Sequence, residues 1–254
     1  MSSSLMPSLF ISHGSPMLYL DERSPARAFM TTLGTDLPKP KGIVVISAHW
    51  YGKEVKVTAN TSGQIIHDFY NFPQALYEVA YEAKGSSSLV DAVVDACGAS
   101  VDEKRGLDHG AWVPVGLMYP DADIPTVQVS IPYTYSYEDL YDLGRQLAPL
   151  REQGIMIMGS GSATHNLRQL GPLEGSIVPW AQESNDWFVE IVEKNDHDAL
   201  MKAASQMPHF VTAHPEDDHW RPIYVALGAA QDSAAILHNG IEHCTLSMTS
   251  ARFD

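Results

Sequence analysis

The chain has 254 residues, enough for one large α/β domain or two small ones, and its 44% hydrophobic content is ordinary for a globular protein. The 31 acidic residues against 16 Lys and Arg give a formal charge of −15, which argues against nucleic acid and anionic membranes as partners. No apolar run approaches a membrane span and the first residues lack the basic and apolar regions of a signal peptide, so a cytoplasmic protein is expected.

In chain order, Ser8-Leu9-Phe10-Ile11-Ser12 is an apolar run that stops at His13-Gly14-Ser15-Pro16. Pro25–Leu33 reads as a short helix closed by Gly34. A second apolar run, Gly42 to Ala48, stops at His49-Trp50, and Glu54–Ala59 alternates like an exposed strand at a sheet edge. Ile65–Pro73 is aromatic and without periodicity, as expected of a loop folded over the sheet. Ser86–Cys97 reads as a helix starting near Ser87 or Ser88 and ending at Gly98. Arg105–Trp112 leads into an apolar segment ending near Pro120, and Ile124–Ile131 is a further strand.

Tyr135–Leu150 carries a helical apolar stripe, and Gly154–Gly159 begins a third apolar run that reaches His165 through Ser160, Gly161 and Ser162. Gly171–Pro179 reads as a loop, Trp180–Lys194 and Asp198–Ala204 as helices, and His209–His219 as a polar turn before a helix over Pro222–Ala230. Ile241–Met248, entered from Gly240, is the expected closing strand. Cys97 and Cys244 belong to no metal-spaced cluster and read as buried thiols in a reducing compartment. Without a low-complexity linker or a repeat beyond the strand-histidine theme, residues 1–254 are expected to form one domain. Its fold is α/β, a central, mostly parallel sheet flanked by helices.

Three such runs leading to His13, His49 and His165 bring imidazoles to the carboxyl ends of strands, where open α/β sheets bind ligands. A metal site is the leading expectation, and spacing alone does not choose between iron that activates dioxygen and zinc that activates water. Serine chemistry is the weaker competitor: Ser12 and Ser15 flank His13, but there is no Gly-x-Ser-x-Gly elbow. Gly159-Ser160-Gly161-Ser162 lacks the continuation of a P-loop.

Five motifs in order, His13-Gly14-Ser15-Pro16, Ser47-Ala48-His49-Trp50, Leu107-Asp108-His109-Gly110, His165-Asn166-Leu167 and Pro215-Glu216-Asp217-Asp218-His219-Trp220-Arg221-Pro222, resemble the class III extradiol ring-cleavage dioxygenases. Ile66-His67-Asp68-Phe69 and Tyr224–Ala230 extend the resemblance from the first strand to the last. The resemblance implies a non-haem Fe(II) site with His13, His49 and His219 as ligands, His219 standing where other branches of the family use glutamate, as in the DOPA-cleaving branch. It implies that His165 is the acid/base, close enough to join a zinc ion as a ligand, and that His109 contacts the substrate hydroxyls or oxygen. The implied reaction inserts both atoms of O2 into a catechol, DOPA-like substrate. Zn(II) can occupy the same histidines. A zinc hydrolase and a non-catalytic metal-binding protein of this fold are the competing expectations. Around the site, His67 and His214 are expected to line the pocket and His243 to pack on a strand, with Trp50, Phe69, Tyr70 and Trp220 as candidate stacking rings. Arg221 is a candidate partner for a substrate carboxylate, or else an acid-paired residue.

Overall fold

The computed structural model describes residues 5–230 and 233–254. Strands β1 (Ser8–Ser12), β2 (Gly42–Gly52), β3 (Lys56–Thr58), β4 (Ser100–Asp102), β5 (Thr126–Pro132), β6 (Ile155–Gly161), β7 (Ala234–His238), β8 (Ile241–Glu242), β9 (Leu246–Ser247) and β10 (Ser250–Phe253) follow in chain order. Eight of them form one sheet in the order β4-β3-β5-β2-β6-β1-β10-β7, while β8 and β9 pair separately. The centre of the sheet is parallel (β5–β2, β2–β6, β6–β1), as is the β4–β3 pair at one end. β3–β5, β1–β10 and β10–β7 are antiparallel.

The central strands bury both faces, and the period of two sorts their side chains between two cores. Phe10, Val44, Ile46, Ile155 and Ile157 face one side with Leu140, Leu143, Phe188 and Val225 from its helices. Leu9, Ile11, Ile43, Val45, Met156 and Met158 face the other, against Met30 and Leu33 of the helix Pro25–Asp36 and Trp112 and Val115 of the helix His109–Met118. Every residue of His109–Met118 is buried, which explains an apolar segment without an amphipathic stripe.

Several boundaries differ from the sequence expectation, each for a physical reason. Gly34 does not close the first helix, which runs to Asp36; a methyl at Gly34 would overlap the Met118 carbonyl, so the glycine permits close helix packing. The helix Ser87–Cys97 keeps its expected ends, with Ser86 capping it by accepting from Leu89 N–H and Gly98 ending it at φ 68°. β3 is not the edge strand, because β4 pairs outside it. The single closing strand Ile241–Met248 is replaced by the short β8 and β9, since His243 and Cys244 both adopt left-handed backbone and force a turn. β7 and β10 complete the main sheet instead.

Gly161 positions the 219 turn over the sheet. A Cβ there would overlap the carbonyl oxygen of His219, and that carbonyl accepts from Ser162 N–H at 2.9 Å. Gly161→Ala should therefore destabilise the fold by about 1–3 kcal/mol through overpacking. Equilibrium urea unfolding checks this; a midpoint equal to that of the native chain would mean that the turn moves away freely.

Candidate metal centre

His13 directly follows β1, and its backbone N–H donates to the Gly161 carbonyl at 3.0 Å. His49 is not at the end of β2 but inside it, within a register break against β5 between Ile46 and Tyr51. Such an irregularity re-aims side chains, and here it turns the His49 ring toward His13. His219 arrives on the turn before the helix Pro222–Gly228, and His165 lies four residues beyond β6, its N–H donating to the Ala213 carbonyl at 2.8 Å. His109 is the first residue of its helix.

These five imidazoles form one cluster. His49 Nε2 lies 3.0 Å from His13 Nε2 and 3.3 Å from His219 Nε2. The His165 ring stacks on His219 with centroids 3.4 Å apart and planes 9° apart, and the His49 and His109 centroids are 4.0 Å apart. Among the described residues, two groups have ligand atoms within 4.8 Å of one another: His13, His49 and His109, and His165, Asp218 and His219. The contacts of His49 join the two groups.

Hydrogen bonding fixes which nitrogen of His13 faces inward. The Ser160 hydroxyl donates to the Gly110 carbonyl, so its oxygen accepts from His13 Nδ1–H at 2.9 Å and leaves the His13 Nε2 lone pair toward the cluster. A proton between His49 and either neighbour satisfies only one of the two Nε2 contacts. A cation between them satisfies all three rings. Two nitrogens about 2.1 Å from one ion and at right angles to each other are about 3.0 Å apart, and tetrahedral ligands about 3.4 Å. The observed 3.0 and 3.3 Å fit a small divalent metal.

Burial, and then the neighbouring imidazoles, hold His13 and His219 well below the usual imidazole value. Burial first and His109 next lower His49 to about 3, and burial lowers His165 to about 4 against the pull of Asp218. Neutral rings are the form that ligates a metal. Asp218 Oδ1 accepts from His219 N–H at 2.8 Å and lies 3.0 Å from the ring Nδ1.

Behind the cluster lies a support that the sequence reading missed. Asp108 is fully buried and does not cap the helix it precedes. Its Oδ1 accepts from the Ser47 hydroxyl at 2.7 Å, and Oδ2 accepts from Arg105 at 3.0 Å and Gln128 at 2.8 Å. Arg105 also donates to the His49 carbonyl at 3.2 Å and lies over the Trp50 ring. Asp68 takes over at the helix N-terminus, accepting from both His109 N–H (3.0 Å) and His109 Nδ1–H (2.9 Å) through Oδ1. Burial pushes the Asp68 carboxyl up, but the His109 hydrogen bonds outweigh it and hold the group below the ordinary aspartate value.

The cluster floors a cavity of about 670 Å³. Phe69, Tyr70 and Phe72 of the loop 65–73 line it, as that loop's expected position requires. Trp50 is instead held under Arg105, and Trp220 is buried among Phe10, Phe188 and Phe210. His67 packs against Phe69, Tyr77 and Trp112, and His214 is buried with Nε2–H donating to the Ala163 carbonyl; neither is on the wall. His243, expected to pack on a strand, lines the cavity, because its left-handed turn lifts it out of the ladder. Arg221 takes the acid-paired alternative, bonded to Asp217 and to the Tyr135 carbonyl. Of the three acids before His219, Asp217 is spent on Tyr137 and Arg221, while Glu216 and Asp218 line the cavity.

Residues 7–254 match the family described as the catalytic LigB subunit of aromatic ring-opening dioxygenase. The chain is 38% identical over 254 residues to a Beta vulgaris protein named 4,5-DOPA dioxygenase extradiol, covering 96% of this chain and 95% of that one. An Escherichia coli (strain K12) protein of the same name is 38% identical over 261 residues, with 99% and 96% covered. The crystal structure of an uncharacterized Escherichia coli K12 protein superposes with a TM-score of 0.81 at 34% identity, covering 98% of this chain and all of that one. The chain therefore belongs to the LigB family of aromatic ring-opening dioxygenases, and it is an enzyme of the extradiol type.

Proposed function

We propose that residues 1–254 act as one catalytic unit in the cytoplasm, opening the ring of a DOPA-like catechol with O2 at an Fe(II) site held by His13, His49 and His219. The observation that carries this reading is the convergence of the three Nε2 atoms, 3.0 and 3.3 Å apart through His49, at the floor of a ring-lined cavity. The names of the Beta vulgaris and Escherichia coli relatives support the substrate class. When bound, ferrous iron supplies open positions for a chelating catecholate and for dioxygen, and a path for electrons between them.

The chain's own groups handle protons. His165, neutral by burial and stacked beside His219, takes a proton from a catechol hydroxyl and returns it as the ring opens. His109 presents Nε2 to the substrate because Asp68 holds Nδ1–H, which fixes tautomer and ring plane together. Buried side chains at the cavity floor, His13 and His219 among them, exclude bulk water from the reacting oxygens.

Four outcomes test these assignments. Protein loaded anaerobically with Fe(II) should consume O2 and catechol in equal amounts once air is admitted, whereas zinc-loaded protein should consume neither; hydrolysis by the zinc form without oxygen would overturn the reading. His49→Ala should lose bound iron, read by metal analysis after desalting. His165→Ala should keep its iron and still bind catechol, yet turn over about 10²–10⁴-fold more slowly in single-turnover mixing; parallel loss of iron would make His165 a ligand instead. Asp68→Asn should retain iron and slow ring opening by about 10–100-fold through a misoriented His109, and an unchanged rate would remove His109 from the chemistry.

A further inference from the structure

The cavity wall carries charge that the ring-opening chemistry does not use. Asp68 is committed to His109, and Asp218 to His219. Two charged side chains on the wall are left over. Arg168 is the only Lys or Arg among the described residues that line the cavity, and no ion pair or hydrogen bond holds its guanidinium there. Glu216, on the turn that carries His219, is likewise without a partner for its carboxylate among the described residues.

The base of Arg168 is well fixed even though its head is free. It lies in the 3₁₀ turn Leu167–Gln169, capped by Asn166, whose side-chain oxygen accepts from Arg168 N–H at 3.1 Å. Asn166 is itself buried and donates through Nδ2 to the Thr212 carbonyl at 2.7 Å. The turn begins two residues after His165, so the side chain is anchored beside the proposed proton-transfer group and reaches into the same cavity. In a protein of charge −15, with three acids on the cavity wall, an anionic side chain would be repelled unless one cation met it. A free planar guanidinium answers a carboxylate with two parallel hydrogen bonds.

We propose that Arg168 and Glu216 form a zwitterion subsite: Arg168 receives the carboxylate of the substrate's side chain and Glu216 its ammonium group, so that the enzyme selects catechols bearing an α-amino-acid side chain. The subsite rests on the ring-opening reading of the same cavity, and it assigns to Arg168 the role that sequence alone offered to Arg221. Arg221 is closed to that role by Asp217 and the Tyr135 carbonyl.

The test is anaerobic titration of the Fe(II)-loaded protein with four catechols. They carry on the ring a zwitterionic amino acid (DOPA), a propionate, an ethylamine, and a methyl group. Wild-type protein should bind the two carboxylates about tenfold more tightly than methylcatechol, the worth of one exposed charge-assisted pair. Arg168→Met should erase that step, and Arg168→Lys should keep part of it because the charge remains without the fork. Glu216→Gln should erase the advantage of DOPA over the propionate. Equal affinities for all four catechols in the wild type, or an Arg168→Met protein weakened by one common factor toward all of them, would overturn the subsite. Admitting O2 afterwards separates the two readings. Discrimination without ring opening fails the proposed reaction alone, and ring opening without discrimination fails the subsite alone.

Discussion

His49 Nε2 lies within 3.3 Å of the Nε2 atoms of both His13 and His219, and imidazoles so placed can share one cation only while they stay neutral with lone pairs turned inward. Burial enforces the first condition, because an imidazolium in this floor would lose its hydration and face its own kind. For His13, a hydrogen bond outside the cluster enforces the second. The Ser160 hydroxyl, already committed to the Gly110 carbonyl, can only accept from His13, and so the tautomer of the first ring is set by the helix His109–Met118. Without a cation, one proton serves only one of the two His49 contacts. The fold thus holds a local conflict that a divalent metal relieves, and metal binding is coupled to the packing of strand, helix and turn.

The support behind the rings has the same logic on a larger scale. A buried carboxylate is costly unless its oxygens are filled, and Asp108 has three donors from three elements: Ser47 on β2, Gln128 on β5 and Arg105 on the loop before the helix. Through Ser47 and Arg105 it grips the backbone of His49 on both sides, since Ser47 Oγ accepts from His49 N–H and Arg105 donates to the His49 carbonyl. The register break in β2 leaves those backbone groups outside the ladder with β5, and this network satisfies them. What looks like a defect in the strand is the feature that aims a ring.

Much of this was legible in the sequence, and the reasons differ by element. Strands β1, β2, β5 and β6 stand out because both faces are buried, which makes their apolar runs continuous. The five histidine motifs marked the residues that the fold brings together, although spacing alone could not give the roles of His165 and His109. Partners remote in sequence stayed hidden: Asp68 is 41 residues from His109, and Ser160 is 147 from His13. Arg221 and Trp220 sit in the most suggestive motif, yet the helix they precede turns the indole into the core and the guanidinium onto Asp217. Left-handed backbone at His243 and Cys244, which no residue type there announces, broke the expected last strand and carried His243 to the cavity.

The cavity is therefore built from two kinds of structure. Its floor comes from strand ends and a buried helix, cross-braced by Asp108 and Ser160, where a displacement of a few tenths of an ångström would break ligand geometry. Its rim comes from the loop 65–73 and the turn after β6, where Tyr70 is 81% exposed and Leu167 is 60% exposed. Large apolar side chains standing in water at a cavity mouth lose their exposure when a ligand covers them, so they favour any aromatic guest without choosing among guests. Choice among catechols has to come from polar groups at fixed positions on that rim, because the floor answers only to the two hydroxyls that all catechols share. Loops can change such groups without disturbing the metal ligands, which lets one rigid centre serve substrates that differ only in their side chains.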